Sequence, residues 1–496
     1  MPQRSGLESL PLKNRSSLSQ SFCAQIICGL LIAVATLGLA ACNNNDYYKF
    51  PQFTFANRPI PPSKLANRVM ASVTVNGTQG SLQILDALRD IRSNVQNTIP
   101  SFSISGYGAG FPSMIFNFPE QVLGYVYSNS DGSLTKIDYG KEASAGSAGT
   151  FPTSTAIAIP PSFNHIYAAE AGSGILGVLD QTTGKSYGLN LPNVYQVAVN
   201  QGDTVVLAMV RNSNTLYRLI KLNANQAAPS GSVDCQPVSL PVYCVVPVPD
   251  SPTKPSLDRP TGVYFSLDGS LAYVLNCGPE CGGQTAGITV LQQGSLTIDI
   301  NTPPYPNAVT SSVAIPGGVT TSLSDGTTLY LAGQQLQPDG LWAGRLTLLN
   351  MSTMTPGAPI SISDGHHTKM LFADDNTLWI GSQFCATGER AKLGQNYNCL
   401  TSYNLGTGAA SIVPAVNPQD PNSSVPFPNA NQNQWYLGDL TGLCWVEGLH
   451  KVYTAYGGQV HAFNTTDLSE INNQFIIIQG TALDVAYMDA STNTTN

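Results

Sequence analysis

The fold of this 496-residue chain is decided by the stretch TGVYFSLDGSLAYVLN, which spans residues 261–276. Apolar side chains alternate with small or polar ones before and after Asp268-Gly269, and such alternation is typical of strands with one buried face. An Asp-Gly pair between two alternating segments favours a tight turn, because these residue types tolerate the backbone angles that hairpin turns require. The stretch therefore predicts a β-hairpin.

The same plan recurs along most of the chain. Turn residues between paired apolar segments lie near positions 120, 164, 202, 268, 325, 375 and 447. Their spacing averages about 55 residues, and each hairpin is followed by a third and often a fourth apolar segment. Four short strands repeated at this period are typical of the blades of a β-propeller. The 46 glycines and 34 prolines also favour strands joined by turns.

The two ends of the chain predict how the propeller closes. Leu483–Asp489 has the pattern of a first strand but is followed by almost no chain, whereas Arg68–Val73 and Leu82–Asp86 resemble second and third strands without a first. Together they predict one blade shared by the N- and C-terminal strands, which removes open sheet edges. We therefore predict an all-β fold, a single β-propeller of about eight four-stranded blades. Seven blades are the alternative, because the unit that starts near Ser113 lacks a clear fourth strand.

One repeat supports a family resemblance. The element Tyr273-Val274-Leu275-Asn276, with the Ser-Leu-Asp-Gly turn before it, resembles the YVTN-type repeats of lactonase-like β-propellers. A leucine, Leu275, stands where the name of the repeat has threonine. The resemblance covers most of residues 67–490, and its closest match is the unit at 261–276. It implies the propeller fold but leaves the function open, because this fold carries many functions.

The N-terminal region has the parts of a secretory signal. Arg4, Lys13 and Arg15 precede the uncharged run 24–41, which closes with a Leu-Ala-Ala-Cys sequence ending at Cys42. This ending resembles the lipobox of bacterial lipoproteins. The resemblance implies cleavage before Cys42, acylation of its thiol and attachment to the membrane by two or three acyl chains. An uncleaved membrane anchor is the alternative, although its apolar run is shorter than the ~20 residues of a spanning helix.

The predicted organisation has four parts: a lipoprotein signal peptide at 1–41, a lipidated tether at 42–66, the propeller at 67–490 and a tail at 491–496. Asn43 after the cysteine resembles the enteric signal for sorting to the outer membrane. We therefore expect a lipid-anchored protein of the bacterial cell envelope, and the resemblance implies that it is sorted to the outer membrane. The net charge of −8, with no basic cluster, argues against a nucleic-acid partner.

Six cysteines fall into three local pairs, Cys235/Cys244, Cys277/Cys281 and Cys385/Cys399. In an exported protein, such pairs indicate disulfides that close short loops. Metal binding is the alternative, but no second cysteine pair or nearby histidine completes a zinc set around Cys277 and Cys281. Cys444 stands in an apolar segment and is expected to be a buried thiol.

The sequence contains little catalytic signal. His366-His367 is its one histidine cluster, at the start of the first strand of the seventh unit, where acid–base or metal chemistry is conceivable. We favour two solvated loop histidines and predict no catalytic residue, metal or cofactor. The predicted function is a membrane-anchored binding or scaffolding module for a protein, carbohydrate or small-molecule partner. The alternative, from the family resemblance, is a lactonase-like hydrolase acting on a small cyclic ester.

Long loops predict where a partner binds. Second-to-third-strand loops at 277–286, 334–343 and 384–398, and connections at 249–260 and 414–438, are expected on one face of units five to seven. Long loops in a compact domain are usually functional or disordered, and the disulfides argue against disorder. Other long segments, 223–242 and 298–311, are expected on the opposite face. The candidate contacts on the first face are Glu280, Asp339, Trp342, Arg390, Tyr397 and Trp435.

Overall fold

The computed structural model describes residues 58–91, 102–237, 241–250, 256–385, 387–393, 398–414, 438–471 and 476–493. Cys42, Tyr397 and Trp435, together with most of the predicted tether, lie outside the described residues. In the described part of the chain, regular structure is almost entirely β-strand, arranged in eight antiparallel sheets. No helix among these residues is long and apolar enough to cross a membrane.

We number the sheets as blades from the N-terminus. Blade 1 combines β1 (Arg68–Val75), β2 (Gln79–Asp86) and the last strand, β33 (Thr481–Tyr487). Blade 2 contains β3 (Pro112–Phe118), β4 (Leu123–Ser128), β5 (Ser133–Asp138) and β6 (Ala143–Thr150). Blade 3 contains β7 (Ser154–Ala158), β8 (His165–Glu170), β9 (Ile175–Asp180) and β10 (Lys185–Asn190). Blade 4 contains β11 (Val194–Val199), β12 (Val206–Val210), β13 (Leu216–Leu222), β14 (Asp234–Gln236) and β15 (Val242–Pro247).

The second half of the chain repeats this plan. Blade 5 contains β16 (Pro260–Phe265), β17 (Leu271–Asn276), β18 (Gly287–Gln292) and β19 (Val309–Ala314). Blade 6 contains β20 (Thr321–Ser324), β21 (Thr328–Leu336), β22 (Trp342–Asn350), β23 (Thr355–Pro356) and β24 (Ile360–Ser361). Blade 7 contains β25 (His366–Ala373), β26 (Thr377–Gln383), β27 (Leu400–Asn404) and β28 (Ala410–Val413). Blade 8 contains β29 (Leu440–Val446), β30 (Lys451–Tyr456), β31 (Gln459–Asn464) and β32 (Glu470–Ile471).

The helical segments described are short connections between strands. They are the 3-10 helices Pro119–Gln121, Gly278–Cys281 and Gln293–Ser295 and the α-helix α1 (Glu389–Lys392).

The blades surround a central channel. Their first strands line it, with β33 serving as the first strand of blade 1. Neighbouring first strands such as β25, β29 and β33 contact one another, and the remaining strands of each blade follow outward. The fold is therefore an eight-bladed β-propeller, as the repeat spacing predicts.

Blade 1 closes the ring with strands from both ends of the chain, which confirms that prediction. β33 pairs antiparallel with β1, from Thr481 opposite Thr74 to Tyr487 opposite Val69. The seam also contains a buried ion cluster: the Arg68 guanidinium lies 2.6 Å from Asp489 Oδ1 and 3.0 Å from Glu142 Oε1. Since Glu142 belongs to blade 2, this cluster joins both chain ends to the next blade.

Three details differ from the repeat pattern. Blade 2 has a fourth strand, β6, so the seven-blade alternative is excluded. The sequence of β6, ASAGSAGT, lacks apolar alternation because β6 is an outer strand whose residues are exposed or half-buried. Blade 1 has three strands, extended by a single bridge between Gln83 and Ser103. The long loop predicted at 334–343 is wrong, because β21 and β22 continue pairing to Leu336 opposite Trp342 and leave only residues 337–341 as the turn.

The core lies between adjacent blades. Second strands are buried on both faces because each blade packs against two neighbours, and all five residues of β12 are buried. At the seam, Val69 and Ala71 of blade 1 pack with Tyr453 and Ala455 of blade 8. Burial of this apolar surface, worth about 25 cal/mol per Å², holds the blades side by side and keeps the channel wall in place.

Candidate functional site

The candidate site lies in the central channel. Its volume is about 1150 Å³, and residues from the first strands of all eight blades line it. Ligand pockets in proteins usually enclose about 300–1,000 Å³, so the channel is large enough to hold a small molecule. Its mouth is bordered by Arg211, Arg259, Cys281 and Gln383, which follow second strands or precede first strands. The second-to-third-strand loops therefore surround this end of the channel.

A β-bulge at the same place in the first strands shapes the channel wall. In seven of these strands the pairing register shifts by one residue near the start of the strand. Bulges redirect side chains and are frequent at barrel rims and near active sites. The bulged residues are Leu483, Ser113, Thr155, Tyr195, Thr261, Thr368 and Thr441.

Hydroxyl groups at this level join consecutive blades from blade 3 to blade 7. Each donates a hydrogen bond to a backbone carbonyl of the next blade or of the segment leading into it. In blade 6, which has no bulge, Thr320 takes the equivalent place. The bonds are Thr155 to Tyr195 (2.6 Å), Tyr195 to Pro260 (2.6 Å), Thr261 to Val319 (3.3 Å) and Thr320 to His367 (3.0 Å). We call these four bonds the hydroxyl girdle.

The girdle ends at blade 7. The hydroxyl of Thr368, at the equivalent position, is buried and has no hydrogen-bond partner among the residues that the structure describes. The next residue in the strand is Lys369, a charged residue that lines the channel. The wall of blades 7, 8 and 1 thus has different chemistry from that of blades 3 to 6.

Lys369 of blade 7 reaches Asp484 of blade 1 across the first strand of blade 8. Its Nζ lies 3.8 Å from Asp484 Oδ1, and the two side chains are 21% and 2% exposed. Gly442 of blade 8 lies between them, and a Cβ atom there would come within 2.6 Å of the same carboxylate oxygen. The glycine is therefore what allows the two charges to meet.

Asp484 is held firmly. Its Oδ2 accepts the backbone N–H of Ile115 at 2.9 Å and its Oδ1 accepts that of Val485 at 2.9 Å. Burial raises the pKa of Asp484, while Lys369 and the two N–H donors oppose this shift. Cys444 lies nearby on β29 as a buried free thiol, as predicted, and burial raises its pKa well above the usual value. The carboxylate is thus placed by backbone donors, and Lys369 is its cationic neighbour.

The two histidines of the seventh unit have different environments. His367 lies in β25 and is 1% exposed, so the expectation that both histidines are solvated loop residues is wrong for it. Its Nε2 lies 2.9 Å from the Ser363 carbonyl and donates to it, and burial lowers the pKa of His367 to about 4. The Nδ1 atom, which is then an acceptor, has no hydrogen-bond partner within the described ranges. His366 is 48% exposed, and its Nδ1 lies 3.6 Å from Glu280 Oε1.

Three of the predicted contact residues meet on the face at the channel mouth. Arg390, on α1 of blade 7, lies 2.9 Å from Asp339 Oδ2 and donates from Nε to the Trp342 carbonyl at 2.9 Å. Glu280 of blade 5 is apart from them on the same face. It accepts the backbone N–H of Gln334 in blade 6 at 2.7 Å, beside its contact with His366. These contacts connect blades 5, 6 and 7.

The three predicted disulfides are confirmed. Cys277–Cys281 spans the 3-10 helix that carries Glu280, and Cys385–Cys399 closes the loop that carries α1. The third, Cys235–Cys244, joins directly opposed residues of β14 and β15 at the outside of blade 4. Two disulfides thus belong to the face at the mouth and one to the outer rim. Among the described residues, no group of three His, Cys, Asp or Glu side chains is placed to hold a metal ion.

Sequence reasoning missed Thr320, Lys369, Gly442 and Asp484. One signal could have found the girdle: a threonine recurs at the start of several first strands, one residue before the paired segment. No local signal links Lys369 to Asp484, which are far apart in the chain and meet only because the ring closes.

Comparisons with known proteins bear on the fold. No protein-family model matches this sequence, and no curated protein matches it. A solved structure of dihydro-heme d1 dehydrogenase NirN in complex with DHE has 15% identity and a TM-score of 0.52, covering 87% of this chain and 79% of that one. This likeness supports the eight-bladed propeller fold and nothing more specific.

Two other solved structures are more distant. AztD from Citrobacter koseri has 12% identity and a TM-score of 0.43, covering 85% of this chain and 97% of that one. A putative 6-phosphogluconolactonase from Bacteroides uniformis has 9% identity and a TM-score of 0.41, covering 85% and 99%. At these scores neither supports an argument about function.

Proposed function

We propose that this protein is an exported lipoprotein, attached to the membrane through acylated Cys42, whose propeller is a binding module. Its ligand or partner binds at the mouth of the channel, over blades 5 to 7. The observation that carries this proposal is the construction of that face: two disulfide-closed loops are joined to blade 6 through Glu280 and Arg390. Glu280 and Arg390 already contact blade 6 in this arrangement, and preorganisation of side chains in this way favours affinity.

The channel supports the same proposal. It opens on this face through Arg259 and Gln383, and it is large enough for a small molecule. Binding sites in proteins are typically concave and largely formed before the ligand arrives. A face that combines an open cavity with constrained loops therefore favours binding over a purely structural role.

The test of the binding face compares two loop truncations in the full acylated protein. The first shortens the loop at 386–398 on the proposed face, and the second removes the exposed residues 302–304 from the third-to-fourth-strand connection of blade 5 on the opposite face. Proteins and small molecules captured from envelope extracts are compared by mass spectrometry. We expect the first truncation to remove a captured component that the second retains, with little change in the melting temperature of either. Equal capture by both variants, or loss only with the second, would contradict the proposal.

The membrane anchor is tested separately. We expect Cys42→Ala to leave the precursor uncleaved or mislocalised, because the thiol is the acylation site that the Leu-Ala-Ala-Cys ending implies. Mass spectrometry of the N-terminal peptide and membrane fractionation measure this. Normal maturation and membrane retention of the variant would refute the lipoprotein proposal.

A lactonase-like hydrolase is the second candidate. The observation that favours it is His367, a neutral imidazole in the channel wall with an acceptor nitrogen that lacks a partner among the described residues. A general base needs such a nitrogen within reach of the proton that it removes. Hydrolysis of simple lactones by the wild type, lost in His367→Gln, would favour the hydrolase over the binding module.

A further inference from the structure

The channel wall carries a charge opposite to that of the whole protein. The chain has 30 acidic and 22 basic residues, yet the charged residues lining the channel in the described part are Arg211, Arg259, Lys369 and Asp484. Three cations and one carboxylate give the cavity a local positive excess. Clefts lined by one sign of charge attract and concentrate ligands of the opposite sign. The arginines border the mouth and Lys369 lies further along the wall, so the positive groups follow the path into the channel.

Lys369 has binding capacity left. Its ammonium group has three hydrogen-bond donors. Among the described residues its one ion pair is with Asp484, and the separation of 3.8 Å is longer than the ~3.2 Å limit of a good hydrogen bond. The side chain is also 21% exposed. An anion in the channel could therefore contact Lys369 without breaking a close bond.

The wall beside Lys369 leaves room for such an anion. The residues at the equivalent place in other first strands, immediately after the bulge, include Gly442, Gly262 and Ala156, which are small. Two further positions at this level, Gln196 and Thr321, carry neutral groups that can donate hydrogen bonds. The level thus offers one cation paired with Asp484, small residues in blades 3, 5 and 8, and neutral donors in blades 4 and 6, beside the apolar Met114 of blade 2.

We infer that the channel binds a small organic anion whose carboxylate or phosphate group contacts Lys369. Asp484 competes with the ligand for the ammonium group and balances part of its charge when the channel is empty. The inference rests on the proposed function, in which the channel mouth receives a ligand, and it adds the chemical class of that ligand.

The experiment uses citrate and inorganic phosphate as probes and glucose as the neutral control, with the full-length protein at constant ionic strength. Isothermal calorimetry measures the dissociation constants. We expect at least one anion to bind the wild type, Lys369→Met to weaken that binding about tenfold or more, and Asp484→Asn to strengthen it a few-fold by freeing the ammonium group. Lys185→Met, which removes an equal charge from the exposed outer strand β10, should leave binding unchanged. Circular dichroism verifies that each variant is folded.

The outcomes separate cleanly. Binding of citrate alone, phosphate alone or both supports the inference and identifies the preferred group. No binding of either anion, equal binding by Lys369→Met, binding of glucose at the same affinity or weaker binding by Asp484→Asn would overturn it. The loop truncations that test the proposed function leave Lys369 in place, so either proposal can fail while the other stands.

Discussion

Two cations in this propeller each meet a buried carboxylate of the C-terminal segment, and their surroundings differ. At the seam, Arg68 is 3% exposed and contacts both Asp489 oxygens as well as Glu142. In the channel wall, Lys369 is 21% exposed and has one ion pair, with Asp484 at 3.8 Å. The first cation is saturated with acceptors and shielded from solvent, whereas the second is loosely paired and faces a cavity.

The difference separates structural charge from charge available to a ligand. A buried ion pair contributes to a fold only when its geometry is good and its remaining donors are satisfied. The Arg68 cluster meets that condition, since one of its nitrogens also donates to the Tyr139 carbonyl at 2.7 Å. Lys369 does not, although its partner belongs to the same C-terminal segment. The pairing distance and the exposed fraction of the side chain thus distinguish the two roles better than residue type does.

The largest expected effect breaks the seam. Arg68→Met leaves Asp489 and Glu142 buried without their cation, and we expect the free energy of unfolding to fall by about 3–5 kcal/mol. Urea unfolding followed by tryptophan fluorescence measures this. Lys141→Met is the matched control, because Lys141 is 80% exposed and its ion pair with Asp138 should contribute less than about 1 kcal/mol. Similar losses in the two variants would mean that the seam cluster is not structural.

The next prediction concerns the channel wall, where the buried His367 should make stability depend on pH. Burial lowers the pKa of His367 to about 4, beside the opposing influence of Glu280. As the pH falls from 6.5 to 4, the unfolded chain therefore binds the proton first, and stability is lost across that window. We expect the contribution to be roughly 2–3 kcal/mol. In His367→Gln, the loss of unfolding free energy over this range should be smaller by that amount.

His450 provides a control of opposite sign for the pH titration. Its hydrogen bond to Asp375 raises its pKa, so the folded state takes up that proton first on acidification. This contribution to stability is fully present below pH 6.5 and is lost as the pH rises above 6.5 through the raised pKa, so His450→Gln should lower stability below pH 6.5 and flatten the decline above that pH. Parallel pH profiles for the wild type and both variants would contradict these assignments.

The next prediction perturbs the Lys369–Asp484 pair by adding a methyl group at Gly442. In Gly442→Ala, the new methyl group would lie 2.6 Å from Asp484 Oδ1 and 2.6 Å from the backbone nitrogen of Val485, so both the carboxylate and the backbone of β33 must move. We expect a cost of about 1–3 kcal/mol. Gly262→Ala is the matched control at the equivalent place in blade 5, where the methyl group meets only the flexible Leu275 side chain at 3.2 Å. Equal melting temperatures for the two variants would show that the glycine in blade 8 has no special role.

The fold was more predictable from the sequence than the site. Turns such as Asp268-Gly269 are local, so the repeat spacing revealed the blades, and the unpaired strands at 68–73 and 483–489 revealed the closure. The local cysteine pairs likewise predicted the disulfides. Strand β6 was missed because an exposed outer strand needs no apolar alternation.

The channel wall could not be predicted in the same way. Lys369 and Asp484 are adjacent only after eight blades have closed, and the contact depends on a glycine in a third strand. His367 was expected to be solvated because it lies where the chain enters the first strand of the seventh unit, yet that strand already begins at His366. Charge and burial across several blades follow from ring geometry, which no local pattern encodes.

The smallest effect tests where the hydroxyl girdle ends. In Thr320→Val, the hydroxyl bonds to the Ala332 and His367 carbonyls at 3.3 and 3.0 Å are lost, and we expect a cost of about 1 kcal/mol. Thr368→Val replaces a buried hydroxyl that lacks a partner among the described residues, so it should be neutral or slightly stabilising. Valine keeps the branched shape that suits a strand, and the comparison therefore isolates the hydroxyl group. Chemical denaturation of both variants, with the double variant as a test of additivity, measures the difference. If Thr368→Val lowers the free energy of unfolding as much as Thr320→Val does, the hydroxyl girdle continues into blade 8. The wall around Lys369 is then held by the same kind of hydrogen bond as blades 3 to 6.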